Sequence, residues 1–400
     1  MKILVIAPTP FFIDRGCHKR IYEEARVLKE RGHEVTICTY HLGRDISDIK
    51  VVRSIKIPWY KKLEAGPSWH KLYIDWLLLI TIIREIKKDR PDIIHAHLHE
   101  GAFLGLIIRC LFKLPMIADF QGSLVGELLD HRFIRQNRFF YKIFKLIEHK
   151  IHKFAKSMIT SSRQAADLIK KSYVFDYDRM IPVEDGVNLA KFNLRTPDIS
   201  LRKELKISEK KKIIMYVGIL NDYQGIDYLL EAISYVISGR NDLHFVIVGF
   251  PEQGYKEKAS TMEILSSTTF TGRIHYEDIP RYLSIADAGI SAKTSETEAN
   301  GKLLEYMAMG IPSIVFDNHI NKEILGDLGF YAKMRDSRSL ADTINEALES
   351  IENNNDLKNK LRKRAEEKFS WESKVDIIQS LYNKKIAITE LNKSLHYHKT

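Results

Sequence analysis

The chain is poor in cysteine. Cys17, Cys38 and Cys110 are an odd number, widely spaced in 400 residues, which argues against a disulfide framework and fits a reducing compartment. Long apolar runs are also missing. The longest, residues 76–83, falls far short of the ~20 residues that span a bilayer. The opening MKILVIAP is too short for the apolar core of a secretory leader and has no small-residue cleavage site after it. The expectation is a cytoplasmic chain. No repeat of solenoid length and no low-complexity run is present. The first strand leads into APTPFFIDRG rather than G-x-G-x-x-G, which disfavours a dehydrogenase. Ser161 and Ser162 lack a G-x-S-x-G elbow, which disfavours a serine hydrolase.

What is present is ordinary globular material: 44% hydrophobic and 28% charged residues. At ~100–200 residues per domain, the length predicts two domains. The net charge is +10. Part of the excess lies in residues 132–156, where Arg132, Arg135, Arg138, Lys142, Lys145, Lys150, Lys153 and Lys156 face one acid, Glu148, among interleaved aromatics such as Phe139, Phe140 and Phe154. This stripe reads either as a surface helix packed on its own domain or as a helix lying on an anionic membrane. No recognition motif accompanies it, so nucleic acid is not an expected partner.

Short apolar strands alternate with helical periodicity. Strands are read at 3–7, 34–40, 92–95, 116–119, 157–161 and 180–183, then at 212–217, 243–248, 268–270, 288–291 and 313–316. The rhythm pauses at 184–197, where a hinge is placed. This predicts an α/β protein of two Rossmann-like domains, residues 1–190 and 191–370, facing across a cleft. A C-terminal helix over about 371–395 is expected to pack back on the first domain.

The most informative stretch is ADAGISAKTSETEANGKLLEYMAMGIP, residues 286–312. A strand runs into a polar loop that opens a helix at Gly301 or Lys302. A helix start offers amides to a phosphate, Lys302 adds an ammonium, and Gly301 permits close approach. Glu305, one turn on, lies on the same face and could accept two ribose hydroxyls. Leu303, Tyr306, Met307 and Gly310 are expected to pack on the sheet. Lys302 and Glu305 as a plain surface pair is the competing reading.

In this form the stretch resembles glycosyltransferase family 4, of the GT-B fold. The resemblance recurs in order along nearly the whole chain: RGHEVTICTY (31–40), DIIHAH (92–97), ADFQG (118–122), KSMITSS (156–162), IPVEDGVNLAKF (181–192), YVGILNDYQGIDYLLEAI (216–233), FVIVG (245–249), FTGRI (270–274), EYMAMGIPSIVFD (305–317) and FSWESKV (369–375). It implies a retaining transferase that takes a sugar from a nucleotide diphosphate donor without metal or other cofactor. Glu305 matches the second glutamate of the family's pair and would hold the ribose. Asn300, Gly301 and Lys302, with Leu303, match the loop that meets the phosphates. Gly16 matches a glycine that closes over the donor. Arg273 and Ile274 match the turn beside the base, and Gly218 follows the first donor-domain strand. The expected acceptor is a saccharide or a lipid-linked saccharide, with His97 and Gln121 on its side.

Departures from the family pattern are specific. The first glutamate of the pair is replaced by Thr297, for which Glu298 or Glu296 could substitute. Glu298 is taken with Lys302 as a catalytic candidate. Two cations usual on the loop after the first donor-domain strand are Ile219 and Gln224, and Gln224 keeps only hydrogen-bonding capacity. A histidine usual in the third N-terminal motif is Gln121, which cannot act as a base at neutral pH. His95, His97 and His99 alternate like metal ligands, but no cluster of Cys or acid in the sequence completes a set. Asp176 and Asp178 have acid-x-acid spacing, yet sit in a loop far from the phosphate-binding stretch. No metal site is expected. A sugar-nucleotide epimerase, a sugar-phosphate synthase and an inactive sugar-nucleotide-binding subunit remain as alternatives.

Overall fold

The structure is a computed structural model that describes residues 1–13, 16–46, 48–63, 68–130, 133–173, 179–295, 299–354 and 356–397. Contacts divide the chain into two compact units. The first is Met1–Asp185 together with the chain from Trp371 onward. The second takes in most of Gly186–Ser370.

In the first unit the elements run β1 (Lys2–Ala7), α1 (Gly16–Glu30), β2 (Glu34–Thr39), β3 (Lys50–Arg53), α2 (Lys71–Lys88), β4 (Ile93–His97), α3 (Leu98–Phe112), β5 (Met116–Phe120), α4 (Leu124–Asp130), α5 (Phe139–Ala155), β6 (Met158–Thr160), α6 (Arg163–Tyr173) and β7 (Met180–Pro182). The strands form one parallel sheet in the order β3-β2-β1-β4-β5-β6-β7. All five residues of β4 and of β5 are buried, as a parallel sheet covered on both faces requires. The 76–83 run falls within α2. There Ile74, Leu78, Leu79, Ile82 and Ile86 point into the core and Trp76 into solvent.

The second unit runs α7 (Ile199–Glu204), β8 (Lys212–Val217), α8 (Ile226–Gly239), β9 (Leu243–Val248), α9 (Gln253–Thr261), β10 (Thr268–Gly272), α10 (Ile279–Leu283), β11 (Ala288–Ser291), α11 (Lys302–Ala308), β12 (Ser313–Phe316), α12 (His319–Leu325), β13 (Phe330–Ala332), α13 (Ser337–Asn353) and α14 (Leu357–Phe369). Its sheet is parallel in the order β10-β9-β8-β11-β12-β13. Several helices start on an Asp or Asn side chain that accepts an orphan amide. Asp336 accepts from Arg338 and Ser339, and Asn318 from Asn321.

The last helix, α15 (Trp371–Tyr397), belongs to the first unit. Arg31 of the turn after α1 donates to the Glu372 carbonyl at 2.7 Å. Among the described residues no helix is long and apolar enough to cross a membrane.

Candidate functional site

In an open α/β sheet, ligands sit beyond the carboxyl ends of the strands where the strand order reverses. In the second unit that switch lies between β8 and β11, and the segments leaving those two strands carry Gly218, Gln224 and Lys302. The Lys302 side chain crosses to β8. Its ammonium lies 4.4 Å from the centroid of the Tyr216 ring and donates to Gln224 Oε1 at 2.7 Å. Tyr216 Oη, 3.5 Å from the ammonium, donates in turn to the Ile219 carbonyl at 2.8 Å.

Two glycines let this edge close up. Gly218 takes φ 150°, and a Cβ there would come 3.2 Å from Lys302 Nζ. Gly225 takes φ 70°, and a Cβ there would meet the Ala292 carbonyl oxygen at 1.9 Å. Any larger residue at 225 would push the 218–225 segment away from the end of β11.

The loop before α11 is tied down by side chains. Asn300 Nδ2 donates to Asn321 Oδ1 at 2.9 Å and Asn321 Nδ2 to the Phe316 carbonyl at 2.8 Å. The Asn300 amide group is thus structural, and only its backbone is left for a ligand. The helix start differs from the sequence expectation. The Leu303 amide already donates to the Asn300 carbonyl and the Leu304 amide to that of Gly301. Those two amides are used in tight turns, and α11 is only seven residues long. The Leu303 side chain is fully buried in the core. What this edge offers an anion is therefore chiefly the Lys302 ammonium.

Glu305 stands one turn along α11 and is almost wholly buried, at 5% exposure. The two do not form a plain surface pair, because Glu305 is buried and Lys302 leans away to Gln224 and Tyr216. Tyr306 takes up the packing role expected of it, and its hydroxyl accepts the Val217 amide at 2.9 Å. Arg273 and Ile274 follow β10, and the Arg273 guanidinium lies 3.9 Å from the Phe250 ring centroid at the end of β9. Glu296, Thr297, Glu298, Arg132, Asp176 and Asp178 lie outside the described residues.

In the first unit Gly16 is the first residue of α1. The carboxyl ends of β4 and β5 hold a buried polar cluster that the sequence reading did not assemble. Arg20 Nε lies 2.8 Å from Asp119 Oδ2 and 3.0 Å from Glu24 Oε1. Its Nη1 donates to Asp185 Oδ1 at 2.8 Å and to the Val183 carbonyl at 2.9 Å. The one legible signal was the i, i+4 spacing of Arg20 and Glu24.

The His95 and His97 rings stack at 4.2 Å, and His95 Nδ1 is 2.6 Å from Tyr382 Oη. Burial alone would raise the Asp119 carboxyl, but the Arg20 guanidinium and His97 outweigh it and hold Asp119 below the usual carboxylate range. Burial and the Asp119 charge raise Glu24 well above that range, against the pull of Arg20. Burial lowers His95 well below an ordinary imidazole, with His97 adding to the effect.

Two expectations change here. His97 is 1% exposed, with Gln121 Nε2 at 3.3 Å from its Nδ1. The partly exposed Gln121 is thus the one that can meet a ligand, and His97 stands behind it. The three histidines also do not share a face. The left-handed turn at Leu98, φ 64°, ends the strand alternation and sends His99 towards α5. Acids do complete both sets: Glu24 and Asp119 around His95 and His97, and Glu148 beside His99 and His152.

A profile described as Glycosyl transferases group 1 matches residues 198–367, and one described as Glycosyltransferase Family 4 matches residues 15–191. The chain is 27% identical over 336 residues to an alpha-monoglucosyldiacylglycerol synthase of Streptococcus pneumoniae, covering 80% of this chain and 72% of that protein. In fold it is similar to a sucrose-phosphate synthase of Thermosynechococcus elongatus, with TM-score 0.81 at 18% identity, covering 97% of this chain and 99% of the other. It is also similar to HepE of Anabaena, solved in complex with UDP and glucose, with TM-score 0.76 at 16% identity, covering 96% of this chain and all of that one.

Proposed function

The chain belongs to glycosyltransferase family 4 and is a glycosyltransferase of the GT-B fold; from that premise we propose that it moves a sugar from a nucleotide diphosphate donor to a saccharide or lipid-linked acceptor, with retention and without metal. The observation that carries this reading is the Lys302 ammonium, held by Gln224 and Tyr216 at the β8–β11 switch beside Gly218. As the bond between sugar and phosphate loosens, negative charge grows on the leaving diphosphate, and a fixed ammonium there stabilises it. Glu305 is assigned to the ribose, Arg273 and Ile274 to the base, and the backbone at Asn300 and Gly301 to the phosphates. Glu298 completes the donor set of the second unit, and in the first unit Gln121, with His97 behind it, is assigned to the acceptor. That HepE was solved with UDP and glucose supports a nucleotide diphosphate sugar as donor. The test is a thermal-shift screen of UDP-, GDP- and ADP-sugars, followed by transfer from a labelled donor. One nucleotide class should raise the melting temperature and yield a labelled saccharide or glycolipid. No shift and no turnover with any nucleotide sugar would reject the assignment.

The acceptor reading has its own support. On α5, Phe139, Phe140, Leu146, Ile147 and Phe154 are exposed, and Lys142, Lys145, Lys150 and Lys153 stand on the same helix. The Trp69 ring, itself exposed, lies 5.2 Å from that of Phe133 and 6.3 Å from that of Phe140. Apolar rings framed by ammonium groups suit an anionic bilayer. The Streptococcus pneumoniae relative is named for a diacylglycerol product, and the three free cysteines suit the cytoplasmic face. The protein is expected to co-sediment with phosphatidylglycerol vesicles and to detach at high salt. At ~1.5–3 kcal/mol per buried large apolar side chain, Phe139→Ser with Phe140→Ser should weaken this at least about tenfold. Equal binding to neutral vesicles, or no effect of the pair, would remove the membrane from the proposal.

A further inference from the structure

The geometry points to a divalent-cation site of the zinc type built by His99, Glu148 and His152 in the first unit. His99 stands in the first turn of α3, and Glu148 and His152 lie one turn apart on α5. His99 Nε2 is 3.1 Å from His152 Nε2 and 3.4 Å from Glu148 Oε1. A tetrahedral zinc ion takes imidazole nitrogen and carboxylate oxygen at ~2.0–2.2 Å, which sets its ligand atoms about 3.3 Å apart. Both distances from His99 Nε2 match that spacing, and one ligand atom from each of the three residues lies within 4.8 Å of the others.

The surroundings are those of a built site. His99, Glu148 and His152 are 6%, 2% and 1% exposed. The Phe120 ring lies 4.7 Å from that of His99 and 4.6 Å from that of His152. Outer partners fix the carboxylate: Ser123 Oγ donates to Glu148 Oε1 at 3.0 Å and the Leu124 amide at 2.8 Å, the support that ligating carboxylates have elsewhere.

The second group, Glu24, His95, His97 and Asp119, argues the other way. There the Arg20 guanidinium, at 2.8 Å from Asp119 and 3.0 Å from Glu24, already supplies the positive charge, and a divalent ion beside it would be repelled. An ion on the first group would instead clamp α5, the helix with the exposed rings and ammonium groups, to α3. Glu148, the lone acid of the basic stripe, then has a reason to point inward. Sugar transfer takes no part in this site.

Tag-free full-length protein, stripped with EDTA and desalted, is titrated with zinc(II) and then with cobalt(II). One tightly held zinc per chain is expected, with a rise in melting temperature of several degrees. Cobalt should give visible bands without thiolate charge transfer. Glu148→Gln and His152→Gln should each weaken zinc binding by more than the ~10–100-fold that loss of an outer partner costs, whereas Glu24→Gln should keep it. Absence of stoichiometric zinc in the wild-type protein would overturn the site, leaving an imidazole pair joined by a hydrogen bond. Retention of full affinity by both variants, or its loss in Glu24→Gln alone, would do the same. Should a variant fail to fold, the wild-type stoichiometry and the cobalt spectrum still decide.

Discussion

Lys302→Ala is expected to lower turnover about 10²-fold or more while leaving the second unit folded. The magnitude is that of removing one preorganised group from a site of developing negative charge, ~10²–10³ in kcat. Here the loss should sit at the high end of what one residue can do. The family's usual cations near this edge are replaced by Ile219 and Gln224, so the remaining ammonium carries more of the diphosphate charge. The fold should tolerate the change. Lys302 is half-buried at the rim and gives up a hydrogen bond to Gln224 and its place over the Tyr216 ring, whereas the core beneath it is formed by Leu303, Tyr306 and Met307.

The kinetic pattern separates two roles. If the ammonium acts on the leaving group, kcat and kcat/KM fall together. If it merely binds donor, KM rises and kcat stays. Gln224→Ala should cost less than Lys302→Ala, since Gln224 acts by positioning the ammonium. Steady-state rates of nucleotide diphosphate release, with melting curves for both variants, make the comparison. Turnover of Lys302→Ala equal to the wild-type protein would remove Lys302 from the chemistry.

The strands were the most legible part of the molecule, for a physical reason. Strands buried on both faces read as continuous apolar runs, and β8, β9, β11 and β12 begin and end at the residues the sequence reading names. Helix α2 was less visible. Its 76–83 segment is apolar nearly all round, which blurs a 3.6-residue stripe, and Trp76 turns out to face solvent. Site chemistry was legible where it was local: Lys302, Glu305 and Gly301 share one stretch of chain. It was invisible where it was not. Tyr216, which supports Lys302, is 86 residues away, and Asp119, which pairs with Arg20, is 99. The His95, His97 and His99 alternation seemed to lack acids because their acids come from α1, β5 and α5. Glu148 read as a stray charge in a basic stripe because periodicity cannot tell an inward carboxylate from an outward one. The α11 amides were credited to a ligand because a helix start is readable in sequence, whereas the tight turns that use the amides of Leu303 and Leu304 are not.

Arg20→Met should destabilise the first unit by ~3–5 kcal/mol, the cost of removing one partner from a buried ion pair. Arg20 is 1% exposed and faces Glu24, Asp119 and Asp185. Methionine fills much of the volume but leaves Asp119 without its counter-charge and the Val183 carbonyl without its donor. Arg20→Lys should rescue little, because a single ammonium cannot span acceptors that a planar fork reaches together. All four tryptophans, Trp59, Trp69, Trp76 and Trp371, belong to the first unit. Their fluorescence in a urea titration therefore reports this unit's transition. The pH dependence gives a sharper check. In the wild-type protein Arg20 keeps Asp119 ionised against burial. Without Arg20, burial prevails and the folded-state carboxyl rises above the ~3.9 of the unfolded chain. The folded variant then takes up a proton that the unfolded chain releases, so its deficit relative to wild type should shrink as the pH falls from 7 to 5. A deficit below about 1 kcal/mol at pH 7, or one that grows on acidification, would mean that water reaches Asp119 and that the guanidinium is not what holds this cluster together.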